Sequence, residues 1–361
     1  MTTTTIETSP FDTAAAEAFA ARLGRMLDAG ASAAMIALGH RLGLFDVLAD
    51  APPATSVNIA DRAGLAERYV REWLAVMVTS KVVTYDRTTR RYWLPPEHGA
   101  CLTRTAPLGN LAVYAQHISL LGKVEDQLIR CFETREGTAY DEYPCFHQIM
   151  AEDSGQTVTA GLFDNVLPLV GGIEASLAAG IDVLDAGCGR GSALLAMAER
   201  FPPSRFVGYD LCQDAVAFAS AMARKAGLTN VTFEVRDLTG YAEPEAWDFI
   251  TSFDAVHDQK DPQQLLNGLR ASLRPGGVYL MQDIGGSAKL ENNADFPMAT
   301  LLYAISCAHC TPVSIGQGGA GLGTMWGWET AERMLKEAGF AEVEKHVLPH
   351  DPMNVWFVSR A

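Results

Sequence analysis

The sequence predicts an α/β fold, a doubly wound and mostly parallel sheet preceded by a mainly α module. Three observations carry this. An apolar run from Ile181 to Leu184, broken only by Asp182, stops at Asp185 and at three glycines in alternate positions, Gly187, Gly189 and Gly191. Helix-forming sequence follows from Ala193 to Arg200, the pattern of a buried parallel strand, a tight turn and the first helix of such a sheet. Downstream, strand-like and helix-like segments alternate to the end of the chain, as a parallel sheet requires. Upstream, residues 57–94 read as helix, turn, helix and hairpin.

A chain of 361 residues predicts about two domains. With 48% hydrophobic and 20% charged residues it is globular rather than disordered. A net charge of −15 repels nucleic acid and anionic membrane over most of the surface. The 7 cysteines are scattered, which suits the reduced thiols of a cytoplasmic protein better than a disulfide framework. Met1 to Pro10 lacks a basic and then apolar pattern, so it is expected to be a frayed tail and not a signal peptide. Phe296 to Trp328 contains no Asp, Glu, Lys or Arg. Its apolar helical part, about Met298 to Cys310, is shorter than the ~20 residues of a membrane span and is expected to be buried in protein.

Taking the chain in order, residues 11–28 and 31–40 are expected to form two helices. Residues 42–48 lead into a break at Pro52-Pro53. Val57–Gly64 and Glu67–Thr79 are expected helices around a turn at Gly64-Leu65-Ala66, and Lys81–Leu94 a hairpin turning at Asp86 to Thr89. That is the layout of a winged helix, spanning residues 1–105 with what precedes it. Between Ser56 and Ala100 seven basic residues face five acidic ones, with no dense basic stripe. Arg68 and Arg71 share their helix with Glu67, Glu72 and Trp73, which favours a packing role over DNA-groove binding. Residues 106–180 are expected to be a helical connector and cap. It holds a long helix from Leu111 to Phe132 with Tyr114 and His117 one turn apart, a Gly/Tyr/Pro loop at 137–144, and helices at 146–152 and 161–177.

Residues 181–361 form the α/β domain. After the opening strand come Arg205–Tyr209 ending at Asp210, a helix at 214–227, and Val231–Val235 followed by Asp237 and Leu238. Trp247–Phe253 then runs into Asp254, His257 and Asp258. A helix at 262–273 ends at Arg274-Pro275-Gly276-Gly277, and Val278–Gln282 is a strand. Residues 285–328 insert before a helix at 331–339 and strands at 343–348 and 355–359.

The glycine turn suits close approach of a ligand carrying a negative group to a helix N-terminus. The dinucleotide fingerprint Gly-x-Gly-x-x-Gly fails because Ser192 holds its last position. Gly-x-Gly-x-Gly behind an acidic strand end instead resembles motif I of the class I S-adenosylmethionine (SAM) methyltransferases. His257-Asp258, Ser306-Cys307-Ala308-His309-Cys310 and Gly321-Leu322-Gly323-Thr324-Met325-Trp326-Gly327 are similar to the signatures of bacterial small-molecule methyltransferases that carry an N-terminal winged helix.

The resemblance implies a Rossmann-like sheet, mostly parallel with the last strand antiparallel, and an N-terminal domain that makes a homodimer. It also implies a small-molecule acceptor, with oxygen the favoured receiving atom. Gly187, Gly189 and Gly191 would take the methionine end of SAM, with Asp185 near its ammonium. Asp210 would accept the ribose hydroxyls, and Asp237 and Leu238 would meet the adenine. Leu211, Phe253 and Asp254, at the same strand ends, would complete the cofactor site. The product would be S-adenosyl-L-homocysteine.

A hydroxyl acceptor must lose a proton, and a histidine suits that task. His257, with Asp258 to orient it, and His309 are the two candidates, while Tyr114, His117, Tyr303, Ser306 and Trp326 are expected to line the acceptor pocket. Where plant-type O-methyltransferases place their histidine base, this chain has Gly319. Cys307 and Cys310 are expected to be buried thiols in a pocket wall, because no second ligand pair with metal spacing appears; no metal, nucleic acid or membrane partner is expected. The alternative reading is a transcriptional regulator that senses SAM or another ligand through a retained fold.

Overall fold

The structure is a computed structural model that describes residues 11–107 and 109–360; the tail at 1–10 lies outside the described residues. The chain divides into two compact units that meet in sequence at Ser119 and Leu120. The Ala112–Lys123 helix crosses that boundary.

In the first unit the expected pair of helices is one, Thr13–Arg41. A single glycine such as Gly30 costs an exposed helix only about 1 kcal/mol, and the alanines around it carry the helix through. Near its end Gly39 lies against the Trp73 ring, close enough that a Cβ would fall 2.5 Å from it, and Trp73 Nε1 donates to Met35 O at 2.8 Å. That contact fixes the helix onto Glu67–Thr79 over a core of Phe45, Ile59, Leu74 and Met77. The hairpin forms as expected, with β1 (Thr84–Asp86) and β2 (Arg91–Trp93) pairing Asp86 with Arg91. Asp86 fastens the turn by accepting from Thr88 N and Thr89 Oγ1.

In the second unit the expected long helix breaks at Val124 into Ala112–Lys123 and Glu125–Thr134. Val124 is buried with Leu120, Tyr143, Ile149 and Val313, so packing sets the bend. The seven strands are β3 (Asp182–Ala186), β4 (Arg205–Asp210), β5 (Val231–Val235), β6 (Trp247–Phe253), β7 (Leu273–Ile284), β8 (Glu342–Leu348) and β9 (Asp351–Arg360). They lie in the order β5-β4-β3-β6-β7-β9-β8. All neighbours are parallel except β9, which runs antiparallel to β7 and β8.

Alternate residues of each strand feed two cores. Val183, Phe249, Leu280, Trp356 and Val358 face one, and Leu184, Ile250, Tyr279, Met281 and Phe357 face the other. Period-two alternation with both faces covered makes such strands read as continuous apolar runs. The Arg274–Gly277 segment, expected only to end the preceding helix, belongs to β7: the register steps from Trp247↔Leu273 to Phe249↔Val278, so the extra residues bulge out of the ladder.

The uncharged insertion also runs longer than expected. Ala299–Ile305, a π-helical turn at Ser306–Cys310 and Thr311–Gly316 follow one another, because Pro312 sits in the first turn of the last piece, where it needs no N–H partner. By length and composition this one helix of 18 residues passes for a membrane span. Yet Ser306, Ala308, His309, Cys310, Pro312, Val313 and Ser314 are buried within the protein.

Candidate functional site

The sheet order reverses at β3, with β4 on one side and β6 on the other; this is where a doubly wound sheet opens a crevice at its carboxyl edge. Asp185 lies there opposite Thr251, whose Oγ1 donates to its Oδ1 at 2.8 Å. Burial pushes the Asp185 carboxyl up to about 7, offset in part by the Thr251 hydroxyl and reinforced by the charge of Asp210. The chain then turns through Gly187, Gly189 and Gly191, all at positive φ. A Cβ on Gly191 would lie 2.4 Å from the Phe233 ring, so the turn is closed to any side chain where the helix Ser192–Arg200 begins.

Asp210, at the end of β4, reaches across this turn. Its Oδ2 accepts from Gly189 N at 2.8 Å and its Oδ1 from Cys212 N at 2.9 Å. Each carboxylate oxygen keeps acceptor capacity beyond one bond. Leu211 is exposed beside it. Asp237 is also exposed, and its Oδ1 accepts from Thr239 N at 2.8 Å, so it starts an Asx turn while Leu238 enters the core. At the end of β6, Phe253 packs on Trp356. Asp254 follows at φ +55° with its N–H on Gln282 O.

His257 is buried, and both ring nitrogens are engaged: Nδ1 lies 2.9 Å from Asp283 Oδ1 and Nε2 3.3 Å from Cys310 Sγ. Burial alone would lower its pKa. The Asp283 carboxylate and the Cys310 sulfur outweigh that and hold it well above the ordinary histidine value. Asp283 Oδ1 also accepts from Trp326 Nε1 at 3.0 Å and Ile284 N at 2.8 Å. Thr324 Oγ1 donates to Cys310 Sγ at 2.9 Å. Asp258 does not orient His257; it is buried and accepts from Tyr140 O–H at 2.6 Å, with burial raising its carboxyl.

His309 stands in an aromatic cluster. Its ring stacks on Phe146 with centroids 3.7 Å apart, and meets Tyr143 edge-on at 4.5 Å and Tyr140 at 5.7 Å. Tyr143 O–H donates to Ala308 O at 2.8 Å, which ties the connector loop to the insertion. Tyr303 accepts from Asn293 Nδ2 through its hydroxyl and packs against Ile284, Leu302 and Met325. Ser306 sits on the π-turn, its Oγ 2.3 Å from where a Cβ on Gly323 would lie. Trp326 is in the core with its indole N–H on Asp283. Gly319 lies against Lys260 O and Ser314 Oγ. Cys307 and Cys310 part company: Cys310 is buried and Cys307 exposed, because the wide π-turn rotates positions three apart away from one face. Tyr114 and His117 lie on Ala112–Lys123, in the first unit.

The fold thus brings together His257, His309, Cys310 and Tyr140 with Asp258 and Asp283. Sequence reading missed Asp283, Tyr140, Tyr143, Phe146 and Thr324. Asp283 carried one usable signal, an acid at the carboxyl end of a central strand, but the strand was expected to stop at Gln282. The aromatic residues sit in a loop and at the helix start that follows it, more than a hundred residues upstream, with no spacing rule linking them to the insertion. His147, Cys212 and Asp214 also bring ligand atoms within 4.8 Å of one another.

Residues 30–104 match the family described as the Rv2258c-like winged HTH domain, and residues 177–339 the family described as a methyltransferase domain. Among sequence relatives, 2-heptyl-1-hydroxyquinolin-4(1H)-one methyltransferase of Mycobacteroides abscessus is 36% identical over 28% of this chain and 44% of that protein. Erythromycin 3''-O-methyltransferase of Saccharopolyspora erythraea is 28% identical over 50% of this chain and 58% of its own. The chain spans less than half the length of the first three relatives it matches. Among solved structures, an O-methyltransferase of Nostoc punctiforme superimposes with a TM-score of 0.71 at 17% identity, covering 94% of this chain and 98% of that one. Human N-acetylserotonin methyltransferase, solved in complex with SAM, gives 0.63 at 17% identity over 98% and 99%. The fold is that of the class I methyltransferases, with a winged helix-turn-helix domain in front of the methyltransferase domain.

Proposed function

We propose that this chain, a winged helix-turn-helix domain followed by a methyltransferase domain, moves the methyl group of SAM to an oxygen of a small, largely apolar acceptor. The observation that carries the reading is the Asp210 carboxylate laid across the glycine turn beside buried Asp185. A negative cradle next to a turn free of side chains suits a ligand with an ammonium, a carboxylate and a sugar diol. Bound there, SAM supplies a methyl group already activated on a sulfonium. Asp185 would ionise against the ammonium, Asp210 would accept the ribose hydroxyls, and Leu238 N–H and Asp237 would meet the adenine.

On the acceptor side, Tyr140, Tyr143, Phe146 and His309 offer an apolar, ring-lined wall. Alignment of the acceptor supplies much of such a reaction's advantage, and a base must remove a hydroxyl proton. His257 is poorly suited to that task while Asp283 and Cys310 hold both its nitrogens and keep it protonated. His309, on the ring-lined wall and with its Nδ1 3.6 Å from Cys310 Sγ, is the candidate base, and His257, Asp283 and Trp326 stand behind it. The relatives that methylate small molecules support the substrate class, one of them named for a hydroxyquinolone.

A homodimer through the first unit is part of this reading. Phe19, Leu23, Met26 and Leu27 of the first helix are exposed at spacings that share one helical face. DNA regulation has less support. Arg68 is paired with Glu72, and Arg71 with Glu67 at 3.1 Å, so these arginines spend their charge within their own helix.

The test has two parts. Calorimetry with S-adenosyl-L-homocysteine should find binding in the wild type that Asp210→Ala abolishes; equal affinity would remove the cofactor assignment. Incubation with labelled SAM and a metabolite extract should yield a methylated small molecule. His309→Ala should lower its turnover ~10²–10⁴-fold with homocysteine-product binding intact, whereas a near-normal rate would leave alignment alone as the catalytic device.

A further inference from the structure

We infer that His147, Cys212 and Asp214 form a binding site for a thiophilic divalent transition ion of the zinc class, at the edge of the crevice. The three residues come from two elements. His147 is the second residue of Phe146–Ser154, while Cys212 caps and Asp214 opens the helix Gln213–Ala226. One ligand atom of each lies within 4.8 Å of the others, and His147 Nε2 is 3.7 Å from Asp214 Oδ1. Ligands bound to one ion at about 2.0–2.3 Å stand ~3–4 Å apart, so small side-chain rotations complete the set.

The surroundings favour a cation. Burial, and after it the charges of Asp210, Asp214, Asp258 and Asp141, push the Cys212 thiol up to about 12, so a cation held there would offset the surrounding negative charge. The His147 side chain is mostly buried, stacked on Tyr140 with centroids 6.2 Å apart and edge-on to Phe146 at 5.4 Å, so its ring is held in place without a metal. Asp214 is exposed and faces solvent, which gives the ion an entry path. A thiolate, an imidazole and a carboxylate select zinc over calcium or magnesium, which require oxygen alone. Three protein ligands leave a fourth position open to water.

The consequence is a clip. An ion at this point ties the connector helix Phe146–Ser154 to the loop two residues beyond Asp210, at one wall of the crevice. Binding of the ion is independent of any methyl transfer, so this inference stands or falls apart from the proposed reaction.

The experiment is metal titration of the full chain after chelator treatment, with Zn²⁺ competed against a chromophoric chelator and Co²⁺ followed by absorbance. One ion per chain and a thiolate-to-cobalt charge-transfer band are expected. Cys212→Ser and His147→Ala should each weaken Zn²⁺ by more than about 100-fold, beyond what loss of a supporting residue costs. Cys307→Ser, at an exposed cysteine on the insertion, should change nothing. Circular dichroism establishes that the variants are folded. No stoichiometric binding, or binding unchanged in Cys212→Ser and His147→Ala, would overturn the inference.

Discussion

Asp185→Asn separates what the buried acid costs the fold from what it does for a ligand. In the ligand-free protein the carboxyl is pushed from an ordinary 3.8 to about 7. At 1.36 kcal/mol per pH unit this is about 4 kcal/mol. The folded value lies above the unfolded one, so the contribution to stability is complete below pH 3.8. It is lost as pH rises towards 7, and above that the ionised carboxylate carries the full cost. Asparagine has the same shape, keeps an acceptor for Thr251 Oγ1 and carries no charge. Its N–H₂ group leaves about 1–3 kcal/mol unrecovered in the same pocket. The net gain at pH 8 is then about 1–3 kcal/mol, or ~2–12 °C in Tm for a domain of this size.

The ligand-bound protein should behave in the opposite sense. Losing a charge-assisted bond worth about 1.5–3 kcal/mol weakens SAM by ~10–100-fold. Thermal unfolding followed by circular dichroism at pH 5 and pH 8, with and without SAM, reads both effects. The reasoning fails if the ligand-free variant is no more stable than wild type at pH 8. It also fails if the difference is the same at pH 5.

Three further outcomes are expected. Asp283→Ala strips the acceptor from His257, Trp326 and Ile284 at once and should cost about 3–5 kcal/mol in urea unfolding. The wild-type contribution of that pair is present below pH 6.5 and fades as pH climbs through the raised His257 value, so Asp283→Asn should flatten that slope; an unchanged profile would deny the ion pair. Gly191→Ala meets both a left-handed backbone at φ +71°, worth ~1–2 kcal/mol, and the Phe233 ring, worth ~1–3 kcal/mol of overpacking. A melting temperature within 2 °C of wild type, against the roughly 4 °C or more that this sum implies, would show that the turn relaxes. Finally, Leu23→Glu with Leu27→Glu should convert a dimer to monomer in light scattering, and a monomeric wild type would end the dimer reading.

Elements whose local code and tertiary role agree were legible before any coordinates. β3, the glycine turn and the helix after it announce themselves because a strand covered on both faces is a continuous apolar run, and because only glycine tolerates the positive φ angles that follow. The hairpin at Asp86 is fixed by a side chain bonding its own neighbours. Boundaries failed where packing outweighed propensity. The helices expected at 11–28 and 31–40 are one, the helix expected at 111–132 breaks at Val124, and the helix expected to end near Cys310 continues past Pro312.

The site divides along the same line. Asp185, Gly187, Gly189, Gly191 and Asp210 lie within one strand-turn-helix-strand unit, so their proximity follows from chain continuity and the ~4.8 Å spacing of adjacent strands. His257 could be singled out, but not its state. Its partners come from β7 and from the insertion, 26 and 53 residues away, and the Asp283 carboxylate and Cys310 sulfur they bring, outweighing burial, hold its pKa well above the ordinary histidine value. The wall around His309 comes from the loop and first helical turn around Tyr140 to Phe146, more than 150 residues upstream, and the adjoining His147 meets Cys212 from the same helix start. Local periodicity encodes which residues a strand or helix presents. Which distant side chains meet there, and so whether a histidine is a base, an ion-pair partner or a metal ligand, is settled only when the layers close and water leaves.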